Sequence, residues 1–415
     1  MSIRREDIEV MAPVGSFESL IAAVQAGADS VYFGLSKMNM RSRSSVNFTE
    51  DDLDKILEIC KKNNIKSYLT LNIVIYQDEL EQMHRLIDLA AEKGVSAVIA
   101  SDHSVIGYAR SRELDVHIST QVNISNVDSV RFYAAFSDVM VLARELNLDQ
   151  VREIYETIER ENITGPSGKR VKLEMFVHGA LCMAVSGKCY LSLHEHNHSA
   201  NRGACLQVCR RGYHVTDKED QVELDIENEF IMSPKDLSTI HFLNKLLDAG
   251  VRVLKLEGRA RPAEYVYTVV DCYTQAVNSI LDGSYSGEKI KAWQGRLSSV
   301  FNRGFWDGYY LGQPLGEWSH VYGSKATRKK ILVGKCTNYF SKLGVAEFSC
   351  EAAVVKKGDE LLVTGPTTGV VHFSADEIRE DLVPVEKTTK GIRFSIKTPA
   401  LIRRNDKVFI WQEVE

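Results

Sequence analysis

The chain is predicted to form an α/β fold, a (β/α)8 TIM-like barrel with a Cys-rich insertion after its seventh strand, followed by a small all-β barrel domain. Three observations predict this. Eight short apolar runs alternate with amphipathic helical stretches between Ile8 and Arg259. Such alternation means a parallel sheet covered on both faces, and eight units fit a closed barrel better than an open sheet. The segment 180–250 separates the seventh run from the eighth, where a βα connection normally takes about 2–6 residues. From residue 331 onward the pattern becomes short strands divided by turn signals.

In order, the strand runs are IEVMAP (from Ile8), SVYFGL (Ser30), SYLTLNIVI (Ser67), SAVIAS (Ser96), DVHISTQ (Asp115), DVMVLA (Asp138), KLEMFVHG (Lys172) and RVLKLEGR (Arg252). FESLIAAVQAG, DDLDKILEICKKNN, ELEQMHRLIDLAAEKG and LDQVREIYETIEREN read as helices between them. Several start after Ser, Thr or Asp and end in Gly or Asn, as helix caps prefer. A doubly wound nucleotide-binding sheet is the weaker reading, because APVGSFES lacks the G-x-G-x-x-G that should follow the first strand. Residues 1–285 thus form the barrel, including a Cys-rich insertion at 180–232. Residues 286–330 form a helical and loop connector. Residues 331–415 form the β-domain, with KKGD, GPTTG and RRND as turns.

The composition is that of a globular protein: 415 residues, 44% hydrophobic and 26% charged, which argues against disorder or a fibrous chain. No apolar run is long enough for a membrane span, and the N-terminus lacks the apolar core of a secretory signal. A cytoplasmic protein with no membrane or DNA partner is expected. The net charge of -5 announces no nucleic-acid binder, although a local basic patch can serve one. Eight cysteines are too few for a disulfide scaffold, so clustered ones point to metal or catalysis.

Four of those cysteines, Cys182, Cys189, Cys205 and Cys209, sit in the insertion with spacing C-x6-C-x15-C-x3-C. They neighbour Gly, Ser, Lys and Arg rather than the apolar runs of core cysteines. Four thiolates suit tetrahedral zinc or an iron–sulfur cluster. Structural zinc prefers close pairs, and only Cys205 and Cys209 approach that pattern, so the spacing favours a cluster. His178, His194, His196 and His198 lie nearby and read either as extra ligands or as a solvated, loop-like HEHNH segment. A thiol paired with His178 would make a Cys–His hydrolase.

Polar residues also collect at the strand ends, where a barrel keeps its chemistry. Asn72, Asp102, Gln121, Arg144, Glu174, His178, Lys255, Glu257 and Arg259 fall there. Asp102, His178 and Glu174 are candidate bases, with Lys255 and Glu257 further catalytic candidates. The plainer alternative is a layer of internal salt bridges, such as Lys255 with Glu174. Arg41 and Arg43 follow the second strand and are suited to an anionic ligand. Arg202, Arg210 and Arg211 beside the cysteines form a candidate phosphate patch. Ser233–Asp236 reads as a helix cap. Cys60, Cys272, Cys336 and Cys350 fall in helix or strand patterns and read as structural.

Several of these segments, MAPVGSFESLIAAVQAGADSVYFGL, STQVNISN, VLARELNL, EMFVHGALCMAVSGKCYLS, NRGACLQVCR, SPKDLS, LKLEGRARPAEYV and FNRGFWDGYY, resemble the collagenase-like peptidases of family U32. The match runs along nearly the whole chain. The resemblance implies an oxygen-independent hydroxylase with a 4Fe–4S cluster. In the tRNA hydroxylation branch the substrate is wobble uridine, giving 5-hydroxyuridine with prephenate required. Other members act on a ribosomal RNA cytidine or the ubiquinone ring. The resemblance also implies that Cys182, Cys189 and Cys205 are cluster ligands. Many members carry a fourth Cys in a KDLC motif where this chain has Ser238; some use the second Cys of the pair matching Cys205 and Cys209, so the resemblance implies Cys209 as the expected fourth ligand. A target base would have to be unstacked into the barrel mouth, which an anticodon loop permits.

The competing reading is a peptidase. The chain has no G-x-S-x-G and no H-E-x-x-H. A zinc-stabilised RNA-binding protein without catalysis is the third.

Overall fold

The structure, a computed structural model, describes residues 3–35, 38–42, 47–214, 229–313 and 316–414. Seven strands, β1 (Glu9–Pro13), β2 (Ser30–Phe33), β3 (Lys66–Leu71), β4 (Ala97–Ala100), β5 (Val116–Ile118), β6 (Val139–Val141) and β7 (Lys172–Gly179), are followed after the insertion by a short β8 (Asp236–Ser238) and then β9 (Val251–Leu256). Strands β1 to β7 pair in parallel in sequence order. The barrel closes because β9 is parallel to both β7 and β1, with Glu174 opposite Val253 and Val10 opposite Leu254. This is the expected (β/α)8 barrel.

Helices α1 (Phe17–Gln25), α2 (Leu53–Lys62), α3 (Leu80–Lys93), α4 (His103–Ser111), α5 (Val127–Ala134) and α6 (Leu148–Glu161) follow the first six strands. Their apolar residues recur at helical spacing; in α6, Leu148, Val151, Ile154 and Ile158 are the buried ones. The same helix opens with a capping box between Asn147 and Gln150. Helix α3 ends on Gly94 with φ of 80°, a left-handed position glycine adopts without strain. Inside the barrel, Met11, Tyr32, Tyr68, Ala97, Ile99 and Val253 pack together.

Helix α7 (Leu191–His196) lies in the insertion. It corrects the loop expected for HEHNH: the backbone turns helical and stops at Asn197, whose φ of 53° suits asparagine. Helices α8 (Leu243–Asp248), α9 (Ala263–Leu281) and α10 (Gly287–Ser299) come next, then β10 (Phe305–Trp306). The cap expected at Ser233–Asp236 is also corrected. Asp236–Ser238 is strand β8, parallel to β10 and antiparallel to the end of β7, with His178 opposite Ser238. A tertiary strand partner from 286–330 overrides the local capping preference.

The C-terminal domain consists of β11 (Arg328–Phe340), β12 (Val345–Ser349), β13 (Glu360–Gly365), β14 (Gly369–Ser374), β15 (Ile378–Glu380), β16 (Val383–Val385), β17 (Arg393–Lys397) and β18 (Lys407–Glu413). They form one antiparallel sheet in the order β14-β13-β18-β11-β12-β17-β15-β16. Irregularities at Leu332/Gly334 and Cys336/Asn338 bend β11. Val363 and Val371 from one half of the sheet thereby share a core with Phe348, Phe394 and Ile396 from the other. This domain docks on α1 and α9. Gln25 donates to the Thr368 carbonyl (2.9 Å) and accepts from the Val370 amide (2.9 Å), and Lys330 reaches Glu264 at 2.8 Å. Cys60, Cys272, Cys336 and Cys350 are buried, as structural cysteines should be. Among the described residues no helix is long and apolar enough to cross a membrane.

Candidate active site

A cavity of about 230 Å³ opens at the C-terminal end of the barrel strands. Tyr32, Thr70, Ile99, Phe176 and Lys255 form its inner wall, and insertion residues cover it, including Cys182, Cys189, Cys205 and Cys209. The insertion is fastened to the barrel. The Val74 amide donates to the Asn201 carbonyl (3.1 Å), and Arg202 makes a double contact with Glu79 (2.6 and 2.8 Å). Arg210 donates to the carbonyls of Leu181 (2.6 Å) and Pro234 (2.7 Å), tying both ends of the insertion together.

Among the described residues, seven cationic side chains line this cavity, Arg41, Arg144, Arg210, Lys255, Arg259, Arg261 and Arg303, against one carboxylate, Glu257. Arg41 pairs with Glu257 at 2.9 Å. Arg259 donates to Thr70 Oγ1 (2.7 Å) and Asn39 Oδ1 (3.1 Å), and burial lowers its pKa to about 10. Arg144 stacks over Phe176 at 3.7 Å and donates to the Ala180 carbonyl, while its buried Nε has no partner. Arg261 lies 3.4 Å over the ring of Phe301, with Arg303 5.1 Å from the same ring and 3.4 Å from Asp236. So much positive charge in a partly closed space favours an anionic ligand. Burial would raise the Glu257 carboxyl, but Arg41, Arg144 and Arg259 outweigh it and hold the group below its ordinary range.

The four thiols form no disulfide. Burial pushes Cys209 up to about 11, and burial with the neighbouring Cys182 and Cys205 raises Cys189. The raised Cys189 and Cys209, with Cys182 and Cys205 beside them, are a donor set that a cationic metal group would relieve. Among the described residues no three His, Cys, Asp or Glu side chains are gathered closely enough to hold a single metal ion. A lone zinc would need them within one tetrahedron, at about 2.3 Å per Zn–S bond. Four thiols lining one cavity are the donor type that iron–sulfur clusters take.

The sequence-derived candidates divide. Asn72, Gln121, Arg41, Arg144, Arg210, Lys255, Glu257, Arg259 and the four cysteines line the cavity. Asn72 donates to Gln121 Oε1 at 3.0 Å. Glu174 lies behind the wall, fully buried, with Oε1 2.6 Å from Lys255. Asp102 caps α4 by accepting from the Ser104 amide (2.9 Å) and also accepts from the Ile75 amide (3.0 Å). His178 leaves the barrel interior and packs among Tyr265, Tyr273 and Phe305, where burial lowers its pKa to about 3. Arg202 is engaged by Glu79 and stacks on Tyr76 at 3.6 Å. Arg211 is exposed and contacts Glu195. Arg43 lies outside the described residues. Tyr32, Thr70, Arg261, Arg303 and, behind the floor, His117 were missed. Arg261 and Arg303 fall in segments whose motifs were visible, but a buried cation leaves no periodic signal.

A family profile described as Peptidase family U32 matches residues 15–320. A protein named collagenase from Porphyromonas gingivalis is 60% identical over 99% of both chains. A tRNA hydroxylation protein of Bacillus subtilis is 32% identical, covering 94% of this chain and 92% of its own. A 23S rRNA 5-hydroxycytidine synthase of Escherichia coli is 34% identical over 72% of this chain and 44% of its own length.

Proposed function

We propose that this chain, which belongs to peptidase family U32, is an iron–sulfur-dependent RNA hydroxylase, with tRNA wobble uridine as the substrate and prephenate as an anionic co-substrate. The observation that carries the reading is the lining of one cavity by four thiols and seven cations. Relatives named for tRNA hydroxylation and rRNA hydroxycytidine synthesis support it.

Cys182, Cys189, Cys205 and Cys209 would hold the cluster. When bound, an iron–sulfur cluster supplies electron transfer, tuned by burial and by hydrogen bonds to its sulfurs. The cations would neutralise the two carboxylates of prephenate. Glu257, ionised beside Arg41, is the carboxylate among the described cavity residues and would be placed to accept a proton from the bound ligand. The insertion limits water at the site, which strengthens these interactions.

A second reading is peptidase activity, favoured by the 60% identical relative named collagenase. Among the described residues lining the cavity there is no histidine to activate a thiol. The test is iron and acid-labile sulfide on anaerobically purified protein, together with tRNA nucleosides of a deletion strain. About four irons per chain and loss of 5-hydroxyuridine are expected. Unchanged nucleosides would sink the tRNA reading, and gelatin cleavage abolished by one point change would put the peptidase in its place.

A further inference from the structure

Behind the cavity floor three buried groups form a line. Glu174 places Oε1 2.6 Å from Lys255 Nζ and Oε2 3.3 Å from His117 Nδ1. Glu174 is 0% exposed, Lys255 5% and His117 6%. Burial alone would raise the Glu174 carboxyl, but Lys255 and His117 together hold it low. With Glu174 ionised, His117 Nδ1 must carry its proton and donate. Lys255 lines the cavity, and its ammonium lies 5.0 Å from the ring centre of Tyr32 and 5.5 Å from that of Phe176, both also cavity residues.

An ammonium has three N–H donors. Among the described residues Glu174 is the hydrogen-bond partner recorded for Lys255. The surrounding interior is otherwise filled by Met11, Tyr68, Ala97, Ile99 and Val253. A buried ion pair is a weak route to stability there, since apolar residues of similar volume serve as well or better. The arrangement does have a use if Lys255 must be held still beside the cavity.

We infer that His117 is a positioning residue: it fixes Glu174, and Glu174 in turn holds Lys255 so that its remaining N–H donors meet an anionic oxygen of the ligand. The inference rests on reading this cavity as the reaction chamber, but not on the identity of the reaction. The oxygen belongs to a carboxylate or a phosphate, which present the same chemistry to an ammonium. Tyr68, whose ring centre is 4.4 Å from that of His117, keeps the imidazole in place from the far side and is itself bonded to Glu9 at 2.7 Å.

The experiment measures malonate and inorganic phosphate binding by calorimetry on the full chain, with thermal unfolding alongside. Lys255→Met should weaken the preferred anion about tenfold or more. His117→Phe, which removes the donor, should weaken it several-fold, roughly as a lost charged hydrogen bond does. His117→Gln, whose amide can still donate to Glu174, should stay within about threefold of the parent. The double variant Lys255→Met with Glu174→Leu removes both charges and is expected to fold, with anion binding still lost. Preference for malonate assigns the oxygen to a carboxylate, and preference for phosphate assigns it to a phosphate group. Lower thermal stability with unchanged anion affinity in all variants would reduce the line to a structural brace and overturn the inference, as would a parent chain that binds neither anion. Unchanged tRNA nucleosides in the deletion strain would refute the tRNA reading and leave these binding results standing.

Discussion

The guanidinium of Arg41, from the loop after β2, meets the carboxylate of Glu257 at the end of β9 at 2.9 Å. The contact joins the second and last strands of the barrel across the cavity mouth. It also sets the charge of the carboxylate lining the cavity.

Arg41→Ala should therefore raise the Glu257 pKa, because burial then acts with less opposition. A depressed carboxyl pKa stabilises the fold above its unfolded value, 4.5, and loses that contribution as pH falls. The variant should be less stable by about 1–3 kcal/mol at pH 7, with the gap shrinking toward pH 4. Urea unfolding at the two pH values measures this; an equal loss at both would refute it.

His178 titrates in the opposite sense. Its folded pKa is about 3 against 6.5 when solvated. The unfolded chain therefore takes up a proton that the folded chain refuses, and stability falls as pH drops from 6.5 toward 3. Each pH unit in that window costs up to about a factor of ten in the folded-to-unfolded ratio. His178→Phe should flatten this part of the stability–pH curve, even if it lowers stability at pH 7. A parallel curve for the variant would count against the buried neutral imidazole.

Cys209→Ala should lower iron per chain after anaerobic reconstitution, while Cys60→Ala should not, since Cys60 lies on the buried face of α2. Ser238→Cys should fail to restore iron in the Cys209→Ala background. Ser238 is held in β8 opposite His178 and does not line the cavity. Recovery of iron would transfer the fourth ligand to position 238.

Gly369→Ala should loosen the C-terminal domain. At φ of 71° any side chain is strained, and a Cβ there would lie 2.3 Å from Gln25 Oε1 and 2.7 Å from Ile21 Cγ2. A loss of about 2–4 kcal/mol is expected. Gln25→Ala, which strands the Thr368 carbonyl and Val370 amide, should cost about 1–3 kcal/mol. Limited proteolysis near residue 328 provides the readout.

The barrel was legible because strand runs and helical periods are local properties. The fate of His178 was not. Strict alternation would point Glu174, Phe176 and His178 the same way, but the pairing of β7 with β9 shifts between Phe176 and His178. That irregularity sends His178 outward to the tyrosines of α9, and one strand's sequence does not announce it. Asp236 misled in a similar way: Ser-Pro-Lys-Asp has the residues of a cap, and β10 lies far along the chain. The cavity cysteines were legible because their polar neighbours set them apart. His117 was hidden inside an ordinary strand, and its meaning depends on Glu174, two strands away on β7 across β6.

Strand β10 also dictates when this protein becomes complete. The four thiols leave the ribosome before β9 brings Lys255 and Glu257, and before the β10 segment brings Arg303. Throughout that interval the nascent chain carries Arg41, Arg144 and Arg210 with the four cysteines, but lacks Lys255, Arg259, Arg261 and Arg303. Completion of the cavity lining is thereby deferred until the chain has passed residue 303.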